Sequence, residues 1–457
     1  MHGTPSYNAV GPAPTIKVQE LHGKPRRRGL RHSLYYFVLD DDRVVHISKY
    51  AKLVGKKDNY SYEYEVDLER IKGKKIVMIR ASNRSIFCWA ETLSAEELVH
   101  SEGAAAGNSE SLSILNGREF DYLTSDEKKF LENDWRRYYL RMAKEIKRLE
   151  GSLGVPITLS DSLRCQLESG ADYPLSYLIP YSSKSRKMSL ENLGKEMHQV
   201  WAALEILDGL RRSGFDVTEA NMSFEQGPDR PLFTVASGGH AYSFWYEFDA
   251  HPREMCGGRL IHLYASILGA PELRLLTLLR EDVGARLSAM LEQEMKARQP
   301  ALYSFYERAA RHIVGGGPAR TPPEAAGSPR GELEHPLLAI LGSGSARRPR
   351  VPLRPDMIVF EDAKSCDDIY ERGLEAKLIV ELKDRDYEEW EGDVESQIIP
   401  YKEIFRPERM VVASVKPVPE GAKARLRSKG IEVVEGVYPG GPGEGALVDA
   451  VKEALLK

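Results

Sequence analysis

Three polar residues stand at the borders of two short apolar runs in the last quarter of the chain. Asp356 directly precedes the run MIVF at 357–360, and the run LIV at 378–380 leads into Glu381 and Lys383. Both runs are short, apolar and rich in β-branched residues between polar borders, which is typical of buried strands. Side chains alternate along a strand, so Glu381 and Lys383 share one face, about 6–7 Å apart at Cα. Asp356 can face the same side from the start of the neighbouring strand.

Two carboxylates beside a lysine indicate a site for a divalent cation. Mg²⁺ takes carboxylate oxygens as ligands and keeps water and substrate phosphate in its other positions. The ammonium of Lys383 can hold an attacking water or offset the charge of a phosphate. An unpaired charge beside an apolar core is costly, which argues for a partner of this kind. The alternative is that Asp356, Glu381 and Lys383 are strand-end charges joined in a salt bridge.

The order of these residues resembles the PD-(D/E)xK nuclease superfamily. The chain supplies Pro355-Asp356 on one predicted strand and Glu381-x-Lys383 on the next. Downstream, QIIPY at 397–401 resembles the QxxxY element of the RecB-type branch of that superfamily. Two more apolar runs follow, at 410–415 and 431–437, in the order that such a core requires, so the resemblance covers 351–437.

This resemblance implies a metal-dependent deoxyribonuclease. Asp356, Glu381 and the backbone carbonyl of Leu382 would hold Mg²⁺ or Mn²⁺. Lys383 would position the water and stabilise the charge that develops on the phosphate. The expected reaction is hydrolysis of DNA phosphodiester bonds in repair, restriction or defence. The alternative is a catalytically silent nuclease fold that serves as a nucleic-acid-binding or scaffolding subunit of a larger complex.

The pair Gln397 and Tyr401 would support the site from a helix packed over it. Residues four apart share a helix face, but Pro400 lies inside the motif and disfavours helix at the residue before it. A helix capped by Ser396 would place Pro400 in its first turn and resolve the conflict. The alternative is a buried amide and a buried tyrosine with no functional role.

A second helix could contribute another acid. Apolar residues recur at helical spacing from 190 to 212, Ser189 is placed to cap this helix, and Gly214 follows its end. In PD-(D/E)xK nucleases such a helix precedes the first core strand and can carry a catalytic acid. Glu196 is the favoured candidate here, with Glu205 as the second. The alternative is that either residue is a solvent-facing helix glutamate.

Four arginines gather shortly before Asp356. The arginine guanidinium matches phosphate geometry, so a cluster next to a phosphate-cleaving site predicts contact with DNA. The alternative is a solvated loop. The residues concerned are Arg347, Arg348, Arg350 and Arg354.

Patterning along the whole chain predicts a multi-domain α/β protein. An N-terminal antiparallel β-domain should be followed by a helical middle and a C-terminal restriction-endonuclease-like mixed sheet flanked by helices. This order loosely resembles the McrC-like nucleases. The expected boundaries are a disordered 1–15, a β-domain at 16–100, a helical region at 113–188 and a nuclease-like domain at 189–457 with a helical insertion at 251–350.

Composition limits the function classes. The 457 residues are 42% hydrophobic and 29% charged with a net charge of −4, which describes a globular protein whose nucleic-acid contacts must be local. The four cysteines form no CxxC pair, so neither a zinc ribbon nor a disulfide framework is expected. Some RecB-type nucleases carry a cysteine-ligated iron–sulfur cluster, but no cysteine follows Cys366, so no cluster is expected here. No Gly-Lys pair is followed by Ser or Thr, which excludes a P-loop.

The last expectations concern the partners and the location of the chain. DNA is the expected ligand, with RNA as an alternative, and the chain could form a homodimer or act beside a separate ATPase. The sequence carries no signal-peptide pattern and no apolar run of membrane-spanning length, so a cytoplasmic location is expected.

Overall fold

The computed structural model describes most of the chain outside a long central segment. The described residues are 15–21, 32–58, 61–82, 89–94, 98, 112–178, 183–224, 230–248, 250, 293, 296–297, 300–313, 354–365, 368–369 and 372–456. They belong to two compact units. The first unit comprises Met1–Lys147 and Leu159–Met197, and the second comprises Arg148–Thr158 and His198–Lys457.

The first unit contains an eight-stranded sheet within the described residues. Its strands are Thr15–Leu21 (β1), His32–Asp40 (β2), Arg43–His46 (β3), Ala51–Asp58 (β4), Ser61–Asp67 (β5), Lys75–Ser82 (β6), Trp89–Leu93 (β7) and Glu119–Phe120 (β8). Within the described residues, the neighbouring strands pair antiparallel except for β3 with β8, which are parallel. The antiparallel β-domain predicted from the sequence is confirmed.

Strand β2 explains how this sheet is buried on both faces. Its sequence LYYFVL lacks the polar alternation of a half-exposed strand, and such runs are typical of strands covered on both sides. Tyr35 and Phe37 pack into one apolar cluster, and Tyr36 and Val38 into another. The strand therefore separates two cores.

A helical middle follows the first sheet. After a short helix at Leu68–Ile71 (α1), the chain forms Ser125–Phe130 (α2), a π-helical stretch at Leu131–Tyr139, Leu140–Leu153 (α3), Asp161–Glu168 (α4) and Ser183–Arg212 (α5). Thr124 caps α2 in a reciprocal capping box with Glu127, as the sequence signal indicates.

Helix α5 begins earlier than predicted. The structure starts it at Ser183, so Ser189 lies inside the helix and the predicted cap there is wrong. The added turn contains Lys184, Arg186 and Lys187, which have high helix propensity and need no apolar stripe to be helical.

The second unit is built on a seven-stranded mixed sheet. Its strands are Asp216–Ala220 (β9), Phe233–Ser237 (β10), His240–Tyr246 (β11), Met357–Glu361 (β12), Leu378–Lys383 (β13), Arg409–Ser414 (β14) and Ile431–Glu435 (β15). The spatial order is β15-β14-β13-β12-β11-β10-β9. The strands β13, β14 and β15 run parallel, and the other neighbours are antiparallel. Parallel neighbours require crossover helices, which explains why helices follow β13 and β14.

Helices flank this sheet. They are Pro300–Ile313 (α6), Tyr387–Asp393 (α7), Ile399–Phe405 (α8), Glu420–Ser428 (α9) and Glu444–Leu456 (α10). Every residue of β13 is buried, as expected for a central strand with both faces covered. The predicted mixed sheet with helices is confirmed. Of the predicted insertion at 251–350, the structure describes chiefly helix α6, and the remainder lies outside the described residues.

The helical path from α7 to α8 is continuous and differs from the predicted cap at Ser396. A π-helical stretch, Val394–Ile398, joins the two helices, and the Ser396 hydroxyl in it donates to the Gly392 carbonyl of α7. Pro400 has no N–H to donate to the preceding turn of the helix. The wider turn of the π-helical stretch before it accommodates this missing hydrogen bond. Among the described residues, no helix is long and apolar enough to cross a membrane.

Candidate active site

The register of β12 and β13 sets the geometry of the candidate site. Met357 opposes Val380 in this antiparallel pair, so Asp356 and Glu381 are the next opposing positions, and opposing side chains share a face. The backbone N–H of Asp356 donates to Glu381 Oε1 at 3.1 Å. The predicted proximity of the two acids is therefore present in the structure.

The carboxylate of Asp356 is held at both oxygens. The backbone N–H of Leu382 donates to Oδ2 at 2.9 Å, and the side-chain amide of Gln199 donates to Oδ1 at 2.7 Å. Only 6% of Asp356 is exposed, so these bonds form away from bulk water. A carboxylate offers about four acceptor positions, and these two bonds occupy one position on each oxygen.

Lys383 lies between acids. Its Nζ is 3.7 Å from Glu381 Oε2 and donates to Asp393 Oδ2 at 2.8 Å. Burial alone would lower the pKa of the ammonium, but attraction to Glu381, Asp356 and Asp393 outweighs burial and raises the pKa above its ordinary value. Lys383 is therefore protonated at neutral pH and acts as a cation, not as a base.

A second layer of buried polar groups lies behind Asp356. The Tyr246 hydroxyl donates to Gln199 Oε1 at 2.9 Å. Beside Gln199, burial lowers the pKa of His198 to about 4, with Asp356 and a hydrogen bond to the Val437 backbone opposing the shift. The imidazole is therefore neutral at physiological pH.

The two residues of the QxxxY element have different environments. Tyr401 is buried, and its hydroxyl donates at 3.2 Å to the carbonyl of Arg354, two residues before Asp356 in the chain. Burial, with repulsion from Glu381 and Asp356, raises the pKa of Tyr401 well above its ordinary value, so the phenol stays neutral. Gln397 is half-buried in the π-helical stretch.

The two candidate helix acids, Glu196 and Glu205, form hydrogen bonds with residues outside this group. Glu196 belongs to the first unit, where its carboxylate accepts from the N–H and hydroxyl of Ser160 at 3.0 and 2.6 Å and so supports the start of α4. Glu205 accepts from Arg212 at 2.8 Å, and burial raises the pKa of Glu205 to about 7, with Glu444 adding repulsion. The helix residue that reaches Asp356 is Gln199.

The predicted arginine cluster is described in part. Arg354 Nε lies 3.8 Å from Glu247 Oε2, and the backbone N–H of Glu247 donates to the Asp356 carbonyl at 3.1 Å. Arg347, Arg348 and Arg350 lie outside the described residues.

The charges of the site suit a bound cation. Asp356, Glu381 and Asp393 are three carboxylates around the single ammonium of Lys383. These four groups together are net negative in a largely buried setting, and a bound cation would lower the cost of holding them there. The donor set is all oxygen, which suits Mg²⁺ or Mn²⁺.

A separate group of potential ligands lies at the other end of β12. Ligand atoms of His240, Glu361 and Asp362 lie within 4.8 Å of one another. His240 Nδ1 is 2.8 Å from Glu361 Oε1, and the Lys377 ammonium is 3.6 Å from Glu361 Oε2. Glu361 in this exposed group has His240 and Lys377 as close partners. The group can therefore serve as a control in tests of the buried site.

Sequence reasoning missed Gln199, Tyr246 and Asp393. One signal for Gln199 was available, since the stretch MHQVWAAL at 197–204 is nearly free of charge and its residues are all buried. A polar residue in such a stretch needs a partner in the core. Nothing local in the sequence identifies that partner as Asp356.

Comparisons of the chain with protein-family models, with curated proteins and with solved structures gave no significant match. The candidate function therefore depends on the residues and their geometry.

Proposed function

We propose that this chain is a divalent-metal-dependent nuclease that hydrolyses DNA phosphodiester bonds. The observation that carries the proposal is the grouping of Asp356, Glu381 and Lys383 at adjacent strand ends, with the Asp356 N–H 3.1 Å from Glu381 Oε1 and the Lys383 ammonium 3.7 Å from Glu381 Oε2. The order of these residues along the chain is that of the PD-(D/E)xK nucleases, which supports the same reaction.

Asp356 and Glu381 would hold Mg²⁺ or Mn²⁺, together with the Leu382 carbonyl. When bound, such an ion polarises the phosphodiester and lowers the pKa of a coordinated water. The protein supplies the orientation, because the Leu382 N–H and Gln199 fix the Asp356 carboxylate before any ligand arrives.

Lys383 would stabilise negative charge on the phosphate. Its raised pKa keeps the ammonium charged, and its setting, with 10% of the side chain exposed, strengthens its electrostatic effect. Tyr401 would hold the backbone at Arg354 in place, since its hydroxyl donates to that carbonyl.

A second candidate function is favoured by the ion pairs of Lys383. Its bonds to Glu381 and Asp393 stabilise the charges from within the protein. A catalytically silent nuclease fold that binds nucleic acid or serves as a scaffold would use the same arrangement as a structural salt bridge.

A cleavage assay with matched variants separates these candidates. Purified full-length protein is incubated with supercoiled plasmid and with single-stranded DNA in Mg²⁺, Mn²⁺ or EDTA. We expect cleavage that depends on metal and falls by about 10²-fold or more in Glu381→Gln and Lys383→Met, since each removes a group that acts on the transition state.

The control variants are Glu361→Gln and Lys377→Met. Glu361 ends the strand that Asp356 directly precedes, and Lys377 precedes the strand that contains Lys383 and is similarly buried. Both should cut DNA at the wild-type rate. Equal cleavage by all five proteins would contradict the proposal, and metal-independent DNA binding without cleavage would favour the silent fold.

A further inference from the structure

Gln199 and Tyr246 form a buried chain of hydrogen bonds that ends on Asp356. The amide of Gln199 donates to Asp356 Oδ1 at 2.7 Å, and the hydroxyl of Tyr246 donates to Gln199 Oε1 at 2.9 Å. Gln199 comes from helix α5 and Tyr246 from strand β11, and Asp356 directly precedes strand β12. All three residues are buried, so the chain of bonds is shielded from water.

The chemistry of the three groups gives this arrangement one orientation. An ionised carboxylate only accepts hydrogen bonds, so the amide must present its NH₂ group to Asp356. A reversed amide would set its oxygen against the carboxylate, and two acceptors in contact repel each other. The hydroxyl of Tyr246 donates to the amide oxygen and so stabilises the orientation that the carboxylate requires.

The arrangement also fixes the direction of the Asp356 carboxylate. The Leu382 N–H holds Oδ2 at 2.9 Å and Gln199 holds Oδ1, so the plane of the carboxylate is set from two sides. Hydrogen bonds to charged groups are stronger than those between neutral groups. Ligands that are oriented in this way bind metal more tightly than freely rotating ones.

We propose that Gln199 is a positioning residue for the metal ligand Asp356, with Tyr246 fixing the amide of Gln199. This inference rests on the proposed function, because it assigns Asp356 to a divalent cation. A neutral amide suits the role, since it orients the carboxylate without competing for the cation. Tyr246 acts on Asp356 only through Gln199, so its loss should weaken metal binding less than the loss of Gln199 does.

The test measures how the cleavage rate of supercoiled plasmid depends on Mn²⁺ concentration. Gln199→Met keeps the length of the side chain and removes both hydrogen bonds, so the Mn²⁺ concentration for half-maximal rate should rise by about 10–100-fold. Tyr246→Phe removes one neutral hydrogen bond and should raise that concentration by about two- to tenfold. In both variants the rate at saturating Mn²⁺ should stay near the wild-type value.

Tyr242→Phe is the matched control. Tyr242 lies on the same strand as Tyr246, is buried, and donates its hydroxyl to the Leu455 carbonyl at 2.6 Å. Its loss removes a comparable hydrogen bond without affecting Asp356, so the half-saturating Mn²⁺ concentration should not change. A merely structural role of Gln199 would lower the folded fraction and the maximal rate but leave that concentration unchanged.

Calorimetric titration of the DNA-free protein with Mn²⁺ gives a second readout that does not require cleavage. If the wild type binds Mn²⁺ and cuts DNA, but Gln199→Met and Tyr246→Phe leave the Mn²⁺ midpoint unchanged, the positioning role is wrong and the nuclease proposal stands. If Gln199→Met fails to fold, the midpoint of Tyr246→Phe decides alone. A wild-type protein that neither binds Mn²⁺ nor cuts DNA would overturn both.

Discussion

Individual buried polar residues define the candidate site. Asp356, Glu381 and Lys383 lie among apolar strand residues, and each has a named partner within hydrogen-bond or ion-pair distance. Burial lowers the pKa of both basic groups here, but Lys383 has carboxylate neighbours that outweigh burial and keeps its proton, whereas His198 loses its proton.

His198 should make the fold sensitive to acid. Its pKa falls from 6.5 to about 4 in the folded protein, chiefly through burial. Between these values the unfolded chain binds a proton that the folded protein excludes, so the free energy of unfolding falls as pH drops from about 6.5 to about 4, by roughly 3 kcal/mol for a shift of this size.

The variant His198→Asn keeps a donor for the Val437 backbone and removes the titrating ring. Urea unfolding at several pH values should therefore show a flatter decline between pH 6.5 and 4 in the variant than in the wild type. The difference between the two proteins is the informative quantity, because other carboxylates titrate in both. If the stability of both proteins declined in parallel with pH, the assignment of this pH dependence to His198 would be wrong.

The sequence was informative about residues that share a local pattern. Strand alternation was enough to place Glu381 and Lys383 on one face, and the register of β12 and β13 sets Asp356 opposite Glu381. Gln199 is separated from Asp356 by 157 positions, and no pattern within helix α5 specifies that contact. The favoured helix acid, Glu196, lies one turn away on the same helix but bonds to Ser160.

Helices α5 and α10 approach each other closely in the second unit. Gly209 of helix α5 faces Val448 of helix α10, and a Cβ at position 209 would lie 2.5 Å from Val448 Cγ1. Valine is β-branched and has little rotamer freedom in a helix, so it cannot move aside easily. The glycine therefore sets the distance between the two helices.

Gly209→Ala should destabilise the protein by up to about 2 kcal/mol, because an overpacking cost of about 1–3 kcal/mol exceeds the gain of about 1 kcal/mol in helix propensity. Gly151→Ala in helix α3 is the matched control, since no atom lies within 4 Å of its added Cβ and only the propensity gain remains. Chemical unfolding should show opposite signs for the two variants. A stabilised Gly209→Ala protein would show that the helices are free to separate.

Element types were easier to predict than element ends. The apolar periodicity of 190–212 indicated helix α5, but its polar first turn at 183–188 carries no such signal. Likewise, Pro400 suggested a helix start, whereas the structure continues the helix through a π-helical stretch. In both places the outcome depends on backbone hydrogen bonding that composition alone does not specify.

The whole molecule divides into two units, and the sequence anticipated the class of each sheet. Continuous apolar runs bounded by turn residues indicated strands, and their grouping before and after a helical middle indicated separate sheets. In the mixed sheet β11 lies beside β12, although a long segment separates them in the chain. This strand order depends on pairing between distant residues, so local sequence patterns do not predict it.

Binding of a divalent cation should stabilise the second unit as a whole. A ligand that binds only the folded state adds about 2.7 kcal/mol at a concentration 100 times its dissociation constant. Calorimetric melting of the full-length protein should therefore show the unfolding transition of the second unit rising by roughly 5–10 °C in saturating Mn²⁺ and returning when EDTA is added.

The combined variant Asp356→Asn, Glu381→Gln should lose this shift, because its side chains no longer carry the charge that attracts the cation. Glu361→Gln should keep it, since Glu361 belongs to the exposed group with His240 and Asp362 at the other end of β12. The reverse result, with the shift lost in Glu361→Gln and kept in the combined variant, would place the cation in that exposed group. The buried acids would then be a structural network, with Lys383 as their permanent counter-ion.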